Sequence, residues 1–237
     1  MQYRQLLTIT MTFVVTLTLF LIPSYNHKAN ATSPVPKFTR HAYEGNSLLL
    51  YPQVSGINIK AAYKINSILK GAAEKSYENY IKLKKSEKVI PRKKLCKKTN
   101  NKCRYSYNSH YEVKYNSNGK LSIIYYDYAY TGGSKGKGSA TMYNFDLMTG
   151  KHYKIQDILK TSCNFKKVQK YAFDYLSKHK PFTKSVSKLS DVTVNKNTQF
   201  SFAKDGIYLV YQENEFQSYT DGYPFIKIPK SVYKSIY

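Results

Sequence analysis

Residues 104–130 read RYSYNSHYEVKYNSNGKLSIIYYDYAY, and their alternation decides the fold class. From Arg104 the hydrophobic period is two, with Tyr105, Tyr107, Tyr111, Val113 and Tyr115 on one strand. Ser117-Asn118-Gly119 breaks the run and Leu121 to Tyr130 resumes it, and an Asn-Gly between two such runs is a strong hairpin signal. The glycine-rich stretch Thr131 to Gly138 leads into a third strand, Ser139 to Leu147. This predicts a meander at the centre of the chain.

Upstream, Leu48, Leu49, Leu50 and Tyr51 before Pro52 read as a short strand that the proline ends or confines to an edge. Ala61, Ile65, Ile68, Leu69, Ala72, Tyr80 and Ile81 then recur at helical intervals, opposite a face carrying Lys64, Lys70, Glu74, Lys75 and Glu78. This helix is expected to fade near Lys85. Downstream, Ile155 to Leu159 and Phe165 to Ser177 read as helices, and Gln199 to Phe202, Ile207 to Tyr211 and Phe225 to Ile228 as closing strands before a short helix over Ser231 to Tyr237. The order predicts an α+β fold: an antiparallel-rich mixed sheet with helices packed on it, in two consecutive units, residues 45–137 and 138–237.

The first thirty-one residues carry Arg4, an apolar run from Leu6 to Ile22, Pro23, and Ala29-Asn30-Ala31. That is the order of a secretory signal cut after Ala31, with an uncleaved anchor as the alternative. Residues 32–44, with Pro34 and Pro36, read as an extended tether. An exported protein is expected, secreted and associated with the cell wall.

The full chain of 237 residues has a formal charge of +24, and loss of Arg4 and Lys28 with the signal leaves +22. Such a field attracts polyanions. Export makes nucleic acid a poor partner and favours an anionic cell-wall polymer or peptidoglycan. Keeping an exported protein soluble is the plain alternative. The charge concentrates between Lys82 and Arg104, where eleven Lys/Arg face the single acid Glu87. Cys96 and Cys103 lie inside this stretch with six residues between them, centred on Thr99-Asn100-Asn101, a spacing that suits a disulfide staple in an oxidising compartment. The candidate ligand-binding residues are Arg92, Lys93, Lys94, Lys97, Lys98, Lys102 and Arg104, with Lys135 and Lys137 from the glycine-rich connection. Cys163 reads as a buried small apolar residue.

Catalytic signals are thin. Gly132-Gly133-Ser134-Lys135-Gly136-Lys137-Gly138-Ser139 has the wrong spacing for a phosphate loop and precedes a strand. His41, His110, His152 and His179 are scattered, and no metal-binding spacing or nucleophile elbow is present. Glu112 and Asp127 read as charge balance for nearby lysines. No catalytic residue, cofactor or metal site is assigned; an unrecognised glycan hydrolase is the weakest alternative. The 25 tyrosines read as ordinary sheet packing, with a carbohydrate-stacking face as the sharper reading.

Segments in the centre and the tail of the chain carry a resemblance. Tyr128-Ala129-Tyr130-Thr131-Gly132-Gly133, Tyr143-Asn144-Phe145-Asp146-Leu147-Met148-Thr149-Gly150-Lys151 and Ile155-Gln156-Asp157-Ile158-Leu159, with Phe200-Ser201-Phe202, Asp205-Gly206-Ile207-Tyr208 and Ile228-Pro229, resemble the extracytoplasmic PdaC/RsiV-like domain family. The resemblance implies an α+β body outside the cell, and it implies either a companion to a deacetylase domain or a lysozyme-sensing role. Where members commonly show Gly-Gly-Ala-His-Gly, this chain has Gly132-Gly133-Ser134-Lys135-Gly136. Common lysozymes are basic and would be repelled by +22, so lysozyme binding stands as the alternative to an anionic ligand.

Overall fold

The computed structural model describes residues 35–89, 105–132, 135–216 and 222–234. At its centre the meander forms as the alternation predicts: β3 (Ser106–Ser117), β4 (Lys120–Tyr130) and β5 (Lys137–Asp146), joined at one edge by the two-residue β6 (His152–Tyr153), all antiparallel. The β3–β4 turn places Asn118 at φ 51 and Gly119 at φ 68, so both residues take the positive φ of a type I′ turn. Lys114 is an extra residue in β3, between the pairs Val113–Ile123 and Tyr115–Ser122.

β4 is buried on both faces from Leu121 to Tyr125. Its odd positions face α1 (Ile59–Val89): Leu121 and Ile123 pack with Ile65 and Leu69, and Tyr125 with Ala72 and Ala73. Asn58 caps the helix, its Oδ1 accepting from the Lys60 and Ala61 amides at 3.0 and 3.2 Å. The helix runs four residues past the expected Lys85.

The stretch read as a tether contains a strand. β1 (Lys37–Ala42) pairs antiparallel with β2 (Leu50–Ser55), and Pro52, opposite Arg40, lies within β2. A proline is tolerated because this two-stranded sheet leaves β2 without a continuous second partner. Asn66 of α1 does part of that work: its side chain donates to the Val54 carbonyl at 2.9 Å and accepts from the Val54 amide at 2.7 Å.

The even positions of β4 face the chain's second half. There α2 (Ile155–Leu159), α3 (Ser162–Leu176) and α4 (Lys230–Tyr233) accompany the sheet β7 (Gln199–Ala203), β8 (Gly206–Val210) and β9 (Phe225–Pro229). Its own core includes Val168, Ala172, Leu176, Phe200, Leu209 and Ile228. A smaller cluster of Ile124, Ala140, Met142 and Val210 joins it to the meander. The outer edge of β5 is closed by side chains: Gln199 bonds the Met142 amide at 2.6 Å and the Ala140 carbonyl at 2.8 Å, and Gln212 bonds both backbone groups of Ala140 at 3.0 and 2.8 Å. Buried Ser122 donates to Asn144, whose amide donates to the Phe200 carbonyl at 2.7 Å. These bonds satisfy an edge that would otherwise present unpaired groups. Residues 45–137 and 138–237 thus share a sheet, since β5 begins at Lys137, and Ser33–Tyr237 is one compact unit.

Cys163 is exposed near the start of α3, because the helix's buried stripe is Val168, Ala172 and Leu176; the buried reading is corrected. His152 stacks on Tyr143 and Phe145 at 5.8 and 5.2 Å, and its buried Nε2 has no protein partner. Burial, helped by Lys154, lowers its pKa to about 4. Because the folded value lies below the unfolded one, stability is intact above about pH 6.5 and falls as pH drops towards 4. Discounted for a ring only half-buried, the loss is about 2 kcal/mol. His152→Phe, which suits its aromatic neighbours, should flatten the urea-unfolding stability between pH 7 and 4; an unchanged pH slope would locate the acid sensitivity elsewhere.

Candidate functional site

The apolar stripe of α1 turns polar where it reaches the far end of β4. After Ala72 and Ala73 comes buried Ser76, whose Oγ bonds Asp127 Oδ1 at 2.5 Å and the Ala72 carbonyl at 3.3 Å. Tyr107 of β3 donates to the same carboxylate oxygen at 2.9 Å, and Asn79 donates to the Tyr107 hydroxyl at 3.5 Å. Two residues back along β4, Ser109 and Tyr125 share a buried bond of 3.1 Å. Asp127 is therefore not a surface counter-charge. Period two places it on the helix-facing side of β4, two residues beyond Tyr125. Glu112 does balance a lysine, contacting Lys114 at 2.5 Å.

Burial raises the Asp127 pKa, while the Ser76 and Tyr107 hydrogen bonds and the His110 charge oppose the rise. The Tyr107 hydroxyl is pushed well above its usual range by burial and by the Asp127 charge. Tyr107→Phe should cost about 1–3 kcal/mol, because a half-buried carboxylate loses a donor, and should raise the Asp127 pKa further. Urea unfolding and a carboxyl-carbon NMR titration measure the two; a lower Asp127 pKa in the variant would contradict the assigned bond.

Beyond Asp127 the structure opens into a groove of about 550 Å³, lined by Asn79, Lys82, Leu83 and Ser86 of α1, Tyr107, Asp127, Ala129 and Lys137–Ser139. It lies at the mouth of the basic segment. Lys84 donates to Glu87 at 3.0 Å and to the Tyr105 carbonyl at 2.7 Å, and Glu87 accepts the Tyr105 amide at 3.0 Å. The last turns of α1 and the start of β3 are clamped together by these three bonds, so the chain leaves and re-enters beside the groove. Arg92, Lys93, Lys94, Lys97, Lys98, Lys102, Arg104 and the Cys96–Cys103 pair lie outside the described residues.

Lys137 and Lys135 have different surroundings. Lys137 pairs with Ala129 in the sheet and lines the groove with Lys82. Lys135 is bound to Glu213 at 3.1 Å, so much of its charge is already met. Gly136 is buried under Tyr128, whose hydroxyl accepts the Gly136 amide at 3.0 Å. This close approach accounts for the glycine: a β-carbon there would meet the Tyr128 ring at 2.3 Å. Among the described tyrosines, Tyr51, Tyr105, Tyr107, Tyr125, Tyr211 and Tyr233 are buried packing groups, while Tyr63, Tyr128 and Tyr175 are exposed. A local aromatic run does form from His110, Tyr126 and Tyr223, with centroids 4.8 and 5.3 Å apart. Among the described residues no group of three or more His, Cys, Asp and Glu side chains gathers in a way that could hold a metal ion. No described helix is long and apolar enough to cross a membrane.

Residues 43–137 match the family model described as deacetylase PdaC. Nothing among curated proteins matches the chain. Among solved structures, a DUF3298 family member from Bacteroides fragilis NCTC 9343 is similar at 20% identity, with 84% of this chain and 89% of that chain covered and a TM-score of 0.57. A DUF3298 protein from Pseudomonas aeruginosa PAO1 aligns at 16% identity over 84% of this chain and 92% of that one, with a TM-score of 0.48. The first likeness extends past the matched segment and includes the second half in the same fold. Over residues 43–137 the chain is therefore similar to the PdaC family, and its α+β fold is shared with a DUF3298 protein.

Proposed function

We propose that this protein is an exported, non-catalytic component of the cell envelope that holds an anionic wall polymer through its basic segment 82–104, with Lys137 on the adjoining rim. The observation that supports this reading is the clamp made by Lys84, Glu87 and Tyr105, which ties both stems of a strongly basic stretch to one edge of the groove. A charged loop with fixed ends loses less conformational entropy on binding than a free tail. A Cys96–Cys103 bridge would add to the effect by shortening the free span.

Co-sedimentation with isolated wall polymer tests the reading. The protein should bind at low salt, binding should weaken when Lys93, Lys94, Lys97 and Lys98 are changed to Gln, and Cys96→Ala should weaken it less. Polymer binding that ignores these four lysines would reject the basic segment as the contact. Capture by lysozyme that persists at high salt would replace the polymer with a protein partner.

A further inference from the structure

The described lysines gather at a second place. Lys120 begins β4 and Ala129 nears its end, so at the usual rise of a strand the two ends stand about 30 Å apart. At the Lys120 end a cleft of about 540 Å³ opens between the meander and the second half. Six lysines line it and one acid, Asp157. Two of the six are already paired: Lys120 with Asp146 at 2.5 Å and Lys151 with Asp157 at 2.8 Å. Both ammonium groups also lie over the Tyr153 ring, at 4.7 and 4.9 Å. Tyr153 packs edge-on against Phe202 at 5.6 Å, giving the cleft an aromatic floor.

The other four, Lys160, Lys204, Lys230 and Lys234, have no ion-pair partner among the described residues. They come from separate segments: Lys160 from the corner between α2 and α3, Lys204 from the β7–β8 turn, and Lys230 and Lys234 from α4 and its end. The Lys230 amide donates to the Asp205 carbonyl at 2.9 Å, which fixes α4 against the turn bearing Lys204. Asp205 is exposed and does not line the cleft. Counting Asp157 and Asp146 against their partners, the walls keep a charge of +4.

Lys160 is held at a backbone cost. Its φ of 61 and ψ of −41 lie outside the left-handed helical well, and the Thr161 amide reaches back to the Leu159 carbonyl at 2.7 Å, closing a positive-φ γ-turn. A lysine gains nothing local from that conformation, and such strain persists where the surroundings require the side chain to be in one place. Like charges brought together from distant segments are also unfavourable unless an anion joins them.

We infer that this cleft is a second anion site, for a phosphate-bearing ligand, in which Lys160, Lys204 and Lys230 hold the phosphate oxygens above the Tyr153–Phe202 floor. It is distinct from the groove at the other end of β4. Lysine suits a compact phosphate as a set of point charges, and the cleft volume suits one or two phosphoryl units with their ester groups.

Thermal shift and calorimetry with inorganic pyrophosphate, against NaCl at equal ionic strength, test the site. Pyrophosphate should stabilise the protein beyond the NaCl control, and Lys204→Gln with Lys230→Gln should lower its affinity at least tenfold. Lys160→Gly should raise the melting temperature in plain buffer yet weaken pyrophosphate several-fold, a split that a structural role for Lys160 would not give. Changing Lys93, Lys94, Lys97 and Lys98 to Gln should leave pyrophosphate affinity within twofold, whatever becomes of polymer binding. A response equal to NaCl, or one abolished by the basic-segment variant instead of the cleft variant, overturns the inference. A parallel arm with phosphatidylglycerol vesicles assigns the source: sedimentation lost on Lys204→Gln with Lys230→Gln identifies a lipid headgroup, and no sedimentation with pyrophosphate bound identifies a free phosphoester.

Discussion

Raising NaCl from about 50 to about 200 mM lowers affinity for isolated wall polymer by roughly two orders of magnitude, if about six cationic groups each meet one phosphate of a flexible polyanion. The figure follows from counterion release. A single-stranded polyanion loses about 0.7 of a condensed ion per phosphate neutralised, so six contacts make the log–log slope about −4, and a fourfold change in salt then costs about 250-fold. Six contacts is a modest draw on the basic segment, which carries eleven Lys/Arg against Glu87. Substituting Gln at Lys93, Lys94, Lys97 and Lys98 removes four of them and should reduce the slope by about 3. Lys135→Gln should change it little, since Glu213 already meets that charge at 3.1 Å. Polymer co-sedimentation across a salt series measures both slopes. A flat response in the unmodified protein would remove the electrostatic mechanism.

Gly206→Ala destabilises the second half by more than about 3 kcal/mol, in the range of severe backbone conflicts. Gly206 opens β8 at φ 152, opposite Pro229 of β9. A β-carbon there would stand 2.1 Å from the Ile228 carbonyl oxygen and 3.0 Å from the Lys230 amide nitrogen. Both are backbone atoms of the neighbouring strand and its junction with α4, so no rotamer change relieves the contact. Strands β8 and β9 would have to separate, exposing Ile207 and Ile228, which are 1% and 0% exposed. For a unit of this size the loss corresponds to a fall in melting temperature of about 6–12 °C. Thermal unfolding followed by circular dichroism measures it, and a shift of under 2 °C would mean that the strands have room to part. The same substitution would displace Lys230 from the β7–β8 turn, so pyrophosphate binding should fall with stability.

Much of the architecture was legible because its signals are local. The alternation over 104–130 and the Asn118-Gly119 turn need only neighbouring residues to be read, and β3, β4 and the closing strands formed close to their expected limits. β1 was not legible: its residues Lys37 to Ala42 are largely polar and follow two prolines, and pairing with β2 is what makes them a strand. Asp127 shows a different limit. Its alternation in β4 was visible, and so was the helical phase of Ser76 in α1, yet only the crossing of helix and strand puts Ser76 Oγ 2.5 Å from the carboxylate. Nothing in the order of residues says which turn of α1 meets which pair of β4.

Fold class, the meander, the long helix and the excess of positive charge could all be read from residue order, because periodicity and net charge are sums over neighbours or over the whole chain. Where that charge stands depends on folding. Folding tied the stems of the basic segment to a groove shared with Lys137, gave Lys135 to Glu213, and brought Lys160, Lys204 and Lys230 from three separate segments around one cleft. Electrostatic interaction depends on distance through space, and residues seventy positions apart in the chain become neighbours only after the core of β4 has been buried on both its faces.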